Sequence, residues 1–141
     1  MPAREFSVSR FVYLPPGVFI ARLHGPNRFR VSLENAHKLC ERFRAGGLSA
    51  LVIDYTDCDL GHQPHEYREL AAAFAAGLPA GMPFAYVYRH DQVGHILVMT
   101  RTLNAAGLKA RGFNDTLEAE TWIFSQLGAD RAAADAPRAL D

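Results

Sequence analysis

The feature that most restricts the fold is the run Ala50-Leu51-Val52-Ile53, held between Ser49 and Asp54. A strand turns successive side chains to opposite faces, so apolar residues at both parities require cover on both sides. Parallel sheets with helices packed on them meet that demand. The segment Phe84-Ala85-Tyr86-Val87-Tyr88, after Pro83, reads as a second short buried strand.

Between and around these strands the apolar period changes. Residues 6–24 read as two strands about a turn, because Pro15 and Pro16 cannot donate to a ladder and Gly17 accepts positive φ. Ala36, Leu39, Cys40 and Phe43 follow the spacing of one helix face, which predicts a helix over about 32–45 with Ser32 at its start and Gly46-Gly47 at its end. A polar loop is expected at 55–64. Tyr67, Leu70, Ala71 and Phe74 then give a helix with Pro64 in its first turn. Val93, Ile96, Leu97, Thr100 and Leu103 share the next helical face, ended by Gly107. Lys109 to Phe113 reads as a short strand. Asp115 and Glu118 form a capping pair ahead of Ala119, Trp122, Ile123 and Leu127.

The order β-β-α-β-α-β-α-β-α predicts an α/β fold: an N-terminal hairpin continuing into a mostly parallel five-stranded sheet flanked by four helices. One domain is expected over 1–127. Residues 128–141 hold Leu140 as their one large apolar group and are expected to form a flexible tail.

Composition narrows the function. The 141 residues carry 15 basic and 15 acidic side chains, a net charge of +0, which disfavours a nucleic-acid grip through phosphates. No apolar run reaches the roughly 18–20 residues of a membrane span, and the first residues lack a signal peptide's apolar core. Cys40 and Cys58 are too few for a disulfide framework, so both are expected as reduced thiols in a cytoplasmic protein.

The opening hairpin Gly17-Val18-Phe19-Ile20-Ala21-Arg22-Leu23-His24-Gly25, the strand Ala50–Asp57 and the segment 84–123 follow one another in an order that resembles the STAS superfamily, in its SpoIIAA-like branch of small bacterial proteins. The resemblance covers about 6–127. It implies a SpoIIAA-like fold and a non-enzymatic regulatory role, exercised by docking a protein partner or a small apolar or anionic ligand, with homo-oligomers possible and no cofactor. Anti-sigma-factor antagonists of this kind carry a phosphorylatable Ser or Thr after the third strand, at the start of the next helix. In this chain Thr56 is the one such hydroxyl of that stretch, and it stands nearer the strand end.

The densest polar region follows the carboxyl end of a buried strand, where open α/β sheets place ligands. The candidate ligand- or partner-binding residues are Asp54, Thr56, Asp57, Cys58, His62, His65, His90 and Asp91. The residues 90–95 also follow a strand end, and so are expected near the 55–65 loop. The alternative reading is a small metal- or Cys/His-dependent hydrolase using Cys58, His62, His65 and His90, whose donor types suit zinc. Cys-x3-His-x2-His is not a strong structural zinc spacing, and neither G-x-S-x-G nor a phosphate-binding glycine loop occurs. Arg28, Phe29 and Arg30, with Arg42 and Arg44, form a basic stretch that reads as a solvated face or a docking patch.

Overall fold

The computed structural model describes residues 4–140. Its elements are β1 (Ser7–Tyr13), β2 (Val18–Asn27), α1 (Phe29–Arg44), β3 (Ala50–Leu60), α2 (Pro64–Gly77), β4 (Pro83–Val87), α3 (Val93–Ala105), β5 (Lys109–Phe113), α4 (Thr116–Gln126) and β6 (Arg138–Leu140). They form one mixed sheet in the order β5-β4-β3-β2-β1-β6. The strands β2 to β5 are parallel, while β1 runs antiparallel to both β2 and β6.

The placement of the helices follows from handedness. Each step from β2 to β5 moves the sheet in one direction, so right-handed crossovers put α1, α2 and α3 on a single face. There they cover Phe19, Ala21, Leu23, Leu51, Ile53, Phe84 and Tyr86. After α4 the chain returns across the sheet in the reverse sense to β6, which runs parallel to β5 at the far edge, so the same handedness puts α4 on the opposite face, against Val18, Ile20, Val52, Ala85 and Val87. Both parities of Ala50–Ile53 are therefore buried, as their apolar run requires. Asp115 caps α4, its side chain accepting from the Glu118 amide.

Four expectations need correction. The helix α1 starts at Phe29, and Ser32 lies within it, donating its hydroxyl hydrogen to Asn27. Most of the expected 55–64 loop is strand, because β2 continues to Asn27 and pairs with β3 as far as Leu60. Backbone pairing there overrides a sequence poor in strand formers. On α3 the buried face is Ile96, Met99, Thr100 and Leu103, whereas Val93 and Leu97 are exposed at 40% and 51%. The sheet has six strands, not five. The segment expected as a tail adds β6 to the outer edge of β1, which hydrogen-bonds an otherwise open edge without needing apolar side chains. Arg131 anchors the segment 3.3 Å from buried Glu120, which also accepts from the Tyr13 hydroxyl at 2.5 Å.

The pair α1–α2 approaches closely because Gly77 has no side chain. A methyl group there would run into Cys40 Sγ and stand 2.6 Å from its Cβ, inside van der Waals contact. Gly77→Ala is expected to lower stability by about 1–3 kcal/mol through overpacking, and Cys40→Ala in the same chain should restore part of that loss. Urea unfolding of the three variants checks this, and additive losses would contradict it.

Candidate functional site

The site is built on an irregularity in β3. The register pairs Arg22 with Asp54, but the next aligned pair is His24 with Asp57. Two steps along β2 thus match three along β3, which is a β-bulge. One extra residue reverses the parity of everything after it. Asp57 lands beside His24, and Cys58 turns into the core under α1–α3.

Past Asp54, β3 has no neighbour in β4, which ends at Val87. The carbonyls left on that side are taken by the segment that follows β4. Buried Gln92 donates from Nε2 to the Tyr55 and Cys58 carbonyls, both at 2.9 Å, while its Oε1 accepts from the Arg89 amide. Arg89 donates from Nη1 to the Thr56 carbonyl at 2.8 Å. Its guanidinium also lies 3.1 Å from Asp91 and 3.8 Å from Asp59. The 55–65 and 89–95 segments therefore meet. Neither Gln92 nor Arg89 stands out in the sequence, because their partners are backbone carbonyls left open where β3 outruns β4.

The sequence-derived candidates separate into buried and exposed groups. Asp54 is buried and accepts from the Thr56 amide at 2.9 Å and the Thr56 hydroxyl at 2.6 Å. Thr56 thus lies in β3 with its hydroxyl committed locally. Asp57 binds the Arg4 guanidinium and the His24 ring, which hold its carboxyl below the ordinary carboxylate range. Burial pushes the Cys58 thiol up to about 12, the opposite of what an activated thiol needs.

His62 is buried, with its ring stacked on Tyr67 at 5.1 Å and Nε2 2.8 Å from Ser32 Oγ. Ser32 has a single hydrogen and gives it to Asn27 at 2.7 Å. The His62 Nε2–H must then be the donor to Ser32, which leaves Nδ1 a bare acceptor without a protein partner. Burial lowers the His62 pKa, favouring the neutral ring. Tyr67 in turn bonds to His95.

His65, His90 and Asp91 are exposed, the last two in a single 3-10 turn before α3. Among the described residues no three His, Cys, Asp or Glu side chains converge as a metal-ligand set. The structure does not join Cys58, His62, His65 and His90 into one centre. No helix among the described residues is long and apolar enough to cross a membrane.

No protein-family model matches the chain, and no curated protein matches it. Among solved structures, the crystal structure of an anti-sigma factor antagonist from Mycobacterium paratuberculosis aligns with a TM-score of 0.57. The alignment covers 83% of this chain and 94% of that one, at 18% identity. The two share a fold. The SpoIIAA-like architecture expected from the order of elements is the architecture observed, extended by the strand β6.

The buried His62 sets a pH dependence. Its proton affinity is lower in the folded chain than the ordinary value of 6.5. As pH falls through that value the unfolded chain takes up the proton first, so stability is unaffected above it and lost below it. In urea titrations from about pH 7.5 to 5.5, wild type should lose more stability than His62→Gln. Parallel losses would contradict a buried neutral ring.

Proposed function

We propose that this chain is a non-enzymatic regulatory module that docks a protein partner on the surface where β3 and β4 end. The observation that carries the reading is the fold shared with an anti-sigma factor antagonist. The use of the local side chains supports it. Asp54, Thr56, Gln92 and Arg89 are committed to one another or to backbone carbonyls, and Cys58 and His62 are buried. What remains for a partner is a rim carrying exposed Asp59, His65, His90 and Asp91. Exposed Val93 and Leu97 follow on α3 and add apolar area to the charged rim, the combination that protein interfaces use.

In this reading the bulge and its hydrogen bonds hold the surface in one shape, so little ordering entropy is lost on docking. Regulation by phosphate at Thr56 is not part of it, because a phosphoryl group there would stand against Asp54 and displace a 2.6 Å hydrogen bond. The test is calorimetric titration of the full chain with the anti-sigma factors of its own organism. Asp59→Lys and Leu97→Asp should each weaken the complex at least about 10-fold, the scale of a significant interface residue. Binding that ignores both substitutions, or no binding to any of them, would overturn the proposal.

A further inference from the structure

The open part of the sheet face beside α4 holds an arrangement that the docking surface does not use. Ser9 on β1, His24 on β2 and Asp57 on β3 form a continuous hydrogen-bonded row. Ser9 Oγ lies 2.9 Å from His24 Nε2, and His24 Nδ1 lies 2.6 Å from Asp57 Oδ2. Three adjacent strands supply one residue each, and two features of the fold align them. The antiparallel register pairs Ser9 with Arg22 and Ser7 with His24, which places Ser9 and His24 on one face. The bulge in β3 then brings Asp57 level with His24.

The direction of the row follows from the acceptors. An ionised carboxylate has no hydrogen to give, so the ring must carry its proton on Nδ1. The neutral imidazole then presents a bare Nε2, and the Ser9 hydroxyl donates to it. Arg4 bonds to the same Asp57 carboxylate and keeps it ionised. Ser9 and His24 are only partly buried, as a modification site requires. A nucleophile bonded to a base, and that base bonded to an orienting group, is the geometric signature of an activated hydroxyl.

We propose that Ser9 is a modification site: a nucleophilic serine, activated by His24 and oriented through Asp57, that takes an acyl group from an activated ester or thioester. In the step, Ser9 Oγ bonds to the acyl carbon as its hydrogen passes to His24 Nε2. The bond from the acyl carbon to the leaving oxygen or sulfur breaks, and the leaving group departs with the electron pair. His24 returns its proton to that group or to water. The product is an ester on Ser9 with no net oxidation or reduction. The row supplies proton removal alone, a factor of about 10²–10⁴, and the proposal requires no oxyanion site. It does not rest on the docking reading.

The test treats the full chain with p-nitrophenyl acetate near neutral pH and maps the acetyl group by peptide mass spectrometry. A fluorophosphonate probe serves as an independent serine reagent. Wild type should gain an acetyl on Ser9, absent in Ser9→Ala. Its rate should fall at least about 100-fold in His24→Gln, and markedly in Asp57→Asn, which keeps the size of the side chain and removes its charge. Circular dichroism checks that each variant is folded. If His24→Gln is not, the exposed Asp57→Asn change carries the comparison. Acetylation confined to lysines or the amino terminus, or a Ser9 rate unchanged in the folded variants, would overturn the proposal.

Discussion

The bulge between Asp54 and Asp57 is the constraint on which the polar end of the molecule depends. A regular β3 would set His24 opposite residue 56 and turn Asp57 toward the α1–α3 core, where an uncompensated carboxylate is costly. It would also aim Cys58 at solvent. With one extra residue the alternation is restored to suit the sequence. The charged Asp57 faces the open side and the apolar thiol faces inward. Bulges interrupt the ladder, and the interrupted groups need other partners. Gln92 and Arg89 provide them, acting in place of the β4 residues that β3 has outrun.

This arrangement links the fold to what its surface can do. Parallel crossovers put three helices on one face and leave the other to α4 alone, which covers only the lower part of the strands. The upper part of that face is left for polar side chains in strand register, Arg22, His24, Asp54 and Asp57 among them. At the adjoining edge the 89–92 segment crosses the end of β3 and carries exposed His90 and Asp91 outward. The two surfaces share the bulge as their common support.

The main architecture was legible because it rests on local signals: the doubly apolar run at 50–53, the Pro-Pro-Gly turn, the capping pair of Asp115 and Glu118, and apolar positions at helical spacing. The expected meeting of the 55–65 and 89–95 segments also followed from strand ends alone. What was not legible depends on pairing between distant segments. Tyr55 to Leu60 reads as loop by composition and is strand because β2 lies beside it. The last residues read as a tail and pair with β1 through backbone groups common to every sequence. Ser9, His24 and Asp57 are individually ordinary, and their alignment depends on a register that no spacing encodes.

The central claim is that the bulge sets Asp57 against His24, with Gln92 holding it there. The ring proton of His24 reports on this directly. Long-range proton–nitrogen correlation spectra, recorded where the ring is neutral, distinguish a hydrogen on Nδ1 from one on Nε2. Wild type should carry it on Nδ1, and Gln92→Ala should shift the ring toward Nε2–H while the chain stays folded. A wild-type ring protonated on Nε2, or a tautomer indifferent to Gln92, would contradict it.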